Sequence, residues 1–210
     1  MFSKFLSLKR EKQDRILNAA IKEFTQKGFK NASTDKIVKD ANISKGSLFH
    51  YFNNKKDLFL FLYDYSLEIL MDEFFGEIDL NETDLLARFR QLVLLKVELV
   101  KKYPDMFDFI KVAYFEESED VKRELEHRNK EKIAISYEKV LEDIDVSKFR
   151  EDIDHKRAIN MVVWTLEGFS KQEQEKARHV SLSELHLEDM VAEMDYYLEL
   201  LRKCLYKECS

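Results

Sequence analysis

Apolar residues recur at three- and four-residue intervals along most of the chain, the spacing that puts side chains on one face of a helix. Leu17, Ala20, Ile21 and Phe24 form one such stripe and predict a helix over 9–27. Gly28 then ends it as a left-handed cap, and Phe29 packs back on it. Residues 33–52 predict two short helices. Thr34 or Ser33 caps the first, with Ile37, Val38 and Ala41 at helical spacing; Ser44 caps the second, where Leu48 and Phe52 share a face. Asn42-Ile43 between them fits a corner, because Asn tolerates left-handed backbone and Ile43 can tuck under both helices. Asn53-Asn54 breaks the pattern before a longer helix from 55 to about 75. Further helices are predicted at 84–102, 104–117, 119–143, 154–178 and 184–207, with Pro104 in a first turn and 144–153 as a connection. The expected fold is all-α, with about nine helices.

Composition sharpens this picture. Four Gly and one Pro in 210 residues leave little room for long loops, sandwiches or Gly-rich phosphate cradles. No apolar run approaches the roughly 20 residues needed to span a bilayer, and the N-terminus lacks the pattern of a signal peptide. The two cysteines, Cys204 and Cys209, close no useful loop, so reduced thiols in a cytoplasmic protein are expected. The net charge of −6 hides an asymmetry: residues 1–57 hold 13 Lys and Arg against 6 Asp and Glu, a balance of +7, and the remainder balances at −13. A basic head on an acidic body suits a small module facing phosphates. Two helices joined by a tight corner, the second small, polar or basic on its outer side, describe a helix-turn-helix.

Ile16 to Phe59 resembles the DNA-binding domain of the tetracycline-repressor (TetR) family of bacterial one-component regulators. The matching elements are Ile-Leu-x-Ala-Ala-x-x-x-Phe at 16–24, Gly28-Phe29, Ser33-Thr34 with Ile37, Ile43-Ser44-Lys45-Gly46-Ser47-Leu48, Tyr51-Phe52, and Lys55 with Leu58-Phe59. Departures are Asn42 where Gly is usual, Val38 for Ala, and Phe49 where a Tyr commonly donates to a phosphate. The resemblance implies a three-helix DNA-binding domain over 1–54 and a helical effector-binding and dimerisation domain over 55–210.

Phosphate contacts supply affinity and base-edge contacts supply choice. Thr34, Lys36, Ser44, Lys45, Tyr51 and Lys55 are expected at the DNA backbone. Ser47 and His50 are expected to read bases, with Gly46 allowing close approach. The partner is a double-stranded palindromic operator.

The last two predicted helices carry apolar stripes, Ile159, Val162, Val163, Leu166 and Phe169 on one, and Leu187 through Leu205 on the other. Stripes this long call for a second copy, packed as a four-helix bundle through 154–178 and 184–207. Mid-helix Gly168, which costs about 1 kcal/mol relative to Ala, suggests a close crossing there. Aromatics crowd the middle of the chain: Tyr103, Phe107, Phe109, Tyr114, Phe115, Tyr137 and Trp164, with Met161 and Glu167 nearby. They read either as core or, as the resemblance implies, as the lining of a pocket for a small, largely apolar effector. His127, His155, His179 and His186 are scattered, with no metal-ligand spacing and no nucleophile motif, so no cofactor, metal or enzymatic activity is expected. The sequence reading is a homodimeric, ligand-responsive repressor. Alternatives are a DNA-binding protein of this fold without an effector, in an architectural or activating role, and a helical enzyme or lipid carrier.

Overall fold

The computed structural model describes residues 2–207, apart from the side chains of 131–137 and 183. The helices are α1 (Ser3–Leu6), α2 (Arg10–Asn31), α3 (Thr34–Asp40), α4 (Lys45–Tyr51), α5 (Lys55–Glu77), α6 (Leu85–Lys102), α7 (Pro104–Tyr114), α8 (Lys122–Leu141), α9 (His155–Lys176) and α10 (Leu187–Leu205). The fold is all-helical. Each of the nine predicted helices is present, and α1 is an addition too short to show periodicity. Among the described residues, no helix is long and apolar enough to cross a membrane.

The chain forms two units, Met1–Asp72 with Tyr103–Glu131, and Glu73–Lys102 with Lys132–Ser210. In the first, α2 packs on α3 and α7, and α3 on α4. Its core is aromatic: Phe24, Phe59 and Phe109 meet edge-on or tilted at 4.9 to 6.4 Å between centroids. Phe5 of α1, fully buried, packs on Phe52 and Phe61. The Gln13 amide of α2 donates to the Leu6 and Leu8 carbonyls and so ties α1 down. Gly28 has φ +65° with ψ 178°, not the αL cap expected but an extended positive-φ backbone open essentially to glycine alone, so regular helix stops there although one more turn follows. The Glu116 carboxylate lies 3.2 Å from where a Cβ at Gly28 would sit, and accepts from the Phe29 amide at 2.7 Å. Any side chain at 28 would be both strained and crowded. Glu116 is thus a half-buried clasp on the end of α2.

In the second unit, α6, α9 and α10 share a core of Leu85, Phe89, Val162, Leu166, Phe169, Met194 and Leu198. Beneath it lies a polar hub. Arg88 is fully buried and its guanidinium donates to the carbonyls of Leu80, Glu82, Val140 and Glu142. Asp84 accepts from Arg202, from the Tyr206 hydroxyl at 3.1 Å and from the Leu86 and Ala87 amides. Burial alone would raise this carboxyl, but Arg202, the Ala87 amide and Tyr206 hold it at about 2. The predicted connection at 144–153 pairs Phe149 with Tyr206 in a single antiparallel bridge, fastening the end of α10.

Candidate nucleic-acid interface

The corner between α3 and α4 forms as the residues dictate. The Ser33 hydroxyl accepts from the Lys36 amide at 3.3 Å, and the Ser44 hydroxyl from the Ser47 amide at 3.0 Å, so each helix has a side-chain N-cap. Asn42 takes φ +52° and turns the chain. Leu48 and Phe52 are fully buried, which fixes α4 about its own axis and decides what its other side presents. That other side holds exposed Lys45, Gly46, Phe49 and His50, with Ser47 half-buried beside Ser44.

Gly46 has an ordinary helical backbone, and the nearest atom to a Cβ placed there would be the Ser44 Oγ at 3.9 Å. Nothing inside this chain requires a glycine at that point of α4. An external surface brought close to the backbone would.

The cations around α4 are held lightly or put to use. Lys45 pairs with Asp35 at 2.8 Å and Lys36 with Asp40 at 2.7 Å, all four side chains being substantially exposed. Lys36 beside it draws the Asp40 carboxyl below its usual range. Such surface pairs contribute about 0–1 kcal/mol, so a phosphate can displace the carboxylate at little cost. Tyr51 is half-buried, its hydroxyl accepting from Lys12 at 3.0 Å while its own proton stays available. Thr34 is half-buried at the first position of α3.

Lys55 also has partners inside the chain. Its ammonium donates to the carbonyls of Lys30 and Ala32, at 3.1 and 3.2 Å, and lies 4.9 Å from the Phe29 ring centre. It clips the end of α2 to the start of α5, with one N–H left over. The cap of α5 is Asn54, which accepts from the Asp57 amide. The Lys12–Tyr51 contact and the Arg10–Tyr65 contact at 3.1 Å join residues 39 and 55 apart, so no local spacing announces them.

The effector candidates are divided between the two units. Phe109 is sealed in the first unit's aromatic core, where Tyr103, Phe107 and Phe115 are half-buried and Tyr114 is exposed. Met161, Trp164 and Glu167 lie in the second unit on the outer side of α9, Trp164 being 65% exposed. The Tyr137 side chain lies outside the described residues. Periodicity identified α9 as amphipathic but not which of two adjacent stripes faces in. Val162, Leu166 and Phe169 take the core, which leaves Met161, Trp164 and Gly168 on the outside. On α10, Leu198 and Leu201 are in the core, and Tyr196 (72% exposed), Tyr197 and Leu200 are on the outside. The predicted dimer stripes are therefore consumed within the subunit, and a neighbouring pair of stripes stands open.

Comparison with known proteins agrees with this geometry. Residues 16–62 match the model of bacterial regulatory proteins of the tetR family. The transcriptional regulator AcuR of Cereibacter sphaeroides is 38% identical over 63 residues, 29% of each chain. The uncharacterised helix-turn-helix-type regulator YdgC of Bacillus subtilis is 33% identical over 121 residues, 55% of this chain and 60% of YdgC. The chain thus spans less than two thirds of these relatives' length. The fold extends further: the regulator FadR of Bacillus subtilis, solved in complex with stearoyl-CoA, superposes with a TM-score of 0.60 at 18% identity, covering 90% of this chain and 96% of FadR. Residues 16–62 thus carry the DNA-binding segment of the tetR family of bacterial regulatory proteins, and the whole chain shares the fold of the regulator structure it superposes on.

Proposed function

We propose that the protein is a DNA-binding transcriptional repressor, working as a cytoplasmic homodimer that a small ligand releases from a palindromic operator. The head over 1–54 reads the DNA, and 55–210 carries dimerisation and effector binding. The outer side of α4 is the observation that carries the reading: Lys45, Gly46 and His50 are free to enter a major groove because Leu48 and Phe52 anchor the opposite side. Ser47 and His50 meet base edges; Thr34, Lys36, Ser44, Lys45, Tyr51 and the spare N–H of Lys55 meet phosphates.

The open stripes on α9 and α10 support the dimer. Met161, Trp164, Tyr196 and Leu200 put an apolar surface in water that a second copy would cover, and Gly168, with nothing within 4 Å of a Cβ placed there, lets the helices cross closely. A two-fold protein reads a palindrome with its two heads in successive grooves. Release requires a ligand that prefers a head spacing unsuited to the operator, and a tenfold loss of binding needs about 1.4 kcal/mol of that preference.

Selection of bound sequences from random duplex DNA tests the reading. An inverted repeat with half-sites about one helical turn apart is expected. Recovery of no preferred sequence would overturn sequence-specific regulation, and a lone half-site would overturn the dimer.

A further inference from the structure

One aromatic ring on α4 stands apart from the packing that holds its neighbours. Tyr51 meets Phe5 edge-on at 6.4 Å between centroids, and Phe52 packs on Phe2 and Phe5 at 5.5 and 4.9 Å. Phe49 is exposed and belongs to neither apolar core, and among the described residues it pairs with no other ring. A tyrosine at this position would have a hydroxyl to give to a phosphate; phenylalanine has none. The fold therefore gives the ring no work, and a phosphate has nothing to accept from it.

The surroundings of the ring are specific. Residues three and four apart are neighbours on a helix, and long helical side chains lean back toward the N-terminus, which sets Phe49 beside the turn of Lys45 and Gly46. Lys45 directs its ammonium to Asp35 of α3 at 2.8 Å. Gly46 contributes no side chain. A Cβ built on it meets only the Ser44 Oγ at 3.9 Å, and no atom of the Phe49 ring lies within 4 Å of it. Bare backbone and an apolar ring thus border a gap with room for a methyl group, on the exposed side of α4.

The base edges of duplex DNA present one apolar group in the major groove, the methyl of thymine. We propose that the Phe49 ring and the Gly46 backbone receive that methyl, so that α4 selects a thymine in each half-site by apolar contact, beside the hydrogen bonds of Ser47 and His50. Charge favours DNA over an apolar protein as the occupant. Lys36 and Lys45 sit at this corner in surface pairs with carboxylates of α3, and residues 1–57 balance at +7. A single ring is also too small a patch to hold a protein partner. The proposal rests on the DNA-reading assignment of α4 above and adds the base it selects.

The test starts from the duplex that the full-length wild-type protein selects from random DNA. Each thymine of its half-sites is replaced in turn by deoxyuridine, which pairs identically and lacks only the methyl. At one symmetry-related pair of positions the uracil duplex is expected to bind about fifteenfold more weakly, about fourfold for each methyl withdrawn from contact. Where cytosine stands at those positions instead, 5-methylcytosine binds more tightly than cytosine, because its methyl occupies the same place in the groove. Phe49→Ala binds the thymine and uracil duplexes alike, and Phe49→Leu, still apolar, keeps most of the difference. The wild-type comparison alters only the DNA, so it stands whether or not a variant folds. Half-sites without thymine, no position at which uracil weakens binding, or a thymine preference that survives Phe49→Ala would overturn the proposal. Failure of the DNA-reading assignment itself would show separately, as wild-type protein that selects no duplex, and would overturn the proposal with it.

Discussion

Two helical surfaces of this protein are turned to water for opposite chemical reasons. The outer side of α4 is polar apart from Phe49, offers backbone through Gly46, and is ringed by cations in weak surface pairs. The outer sides of α9 and α10 carry Met161, Trp164, Tyr196 and Leu200, large apolar groups that folding would have hidden had a partner element been available in the subunit. A polyanion suits the first surface and a second copy the second. The difference teaches that exposure alone says little: what is exposed, and whether anything in the subunit explains it, names the missing partner.

The largest effect comes from breaking the apolar surface. Trp164→Glu with Leu200→Glu is expected to leave helix content unchanged, since both side chains are exposed, while sedimentation shows a monomer. Operator affinity in a gel-shift titration then falls by about 100-fold or more, because the second head loses its high effective concentration. Breaking the polar surface costs less per residue. His50→Ala or Ser47→Ala is expected to cost about 1–3 kcal/mol of discrimination at one base position, seen as relaxed preference there in a randomised-site selection. An unaltered preference would remove that residue from base reading.

Asp84 provides a control that touches neither surface. Its folded carboxyl lies at about 2, below the unfolded value of 3.8, so its contribution is present above about pH 4 and lost as pH falls toward 2. With partners Arg202 and Lys148 about two-fifths exposed, solvent screening leaves about 1 kcal/mol. Urea unfolding should show Asp84→Asn less stable at pH 7 and converging with wild type toward pH 2, with dimerisation and DNA binding intact. The smallest effect belongs to Lys55→Met. Losing the clip to Lys30 and Ala32 should cost about 1 kcal/mol of stability, and losing the spare N–H should reduce the salt dependence of DNA binding by about one charge. An unchanged salt slope would leave Lys55 as a clip alone.

The head was legible because its signals are local. Caps three residues apart, a left-handed Asn42, and the Leu48–Phe52 pair can be read without knowing what lies elsewhere. The second unit hid what depends on distant residues. Arg88 binds carbonyls as far away as Glu142, and Asp84 meets Arg202 and Tyr206, separations that leave no periodic trace. On α9 and α10 the period is plain, but two adjacent stripes are both apolar, and only the packing shows that Leu166 goes in and Trp164 stays out. For the same reason aromatic density alone misled: Phe109 is core, Trp164 is surface, and neither property is written in residue type.

Gly46→Ala tests the central claim most directly, because it separates what the fold wants from what a partner wants. Inside the protein the added methyl makes only an ordinary van der Waals contact, with the Ser44 Oγ at 3.9 Å, and alanine favours helix over glycine by up to about 1 kcal/mol. Thermal unfolding and operator titration of the same sample should therefore move in opposite directions, the fold as stable or more so and the complex weaker by about tenfold or more. A variant that binds the operator as tightly as wild type would contradict the assignment of α4 as the DNA-reading helix.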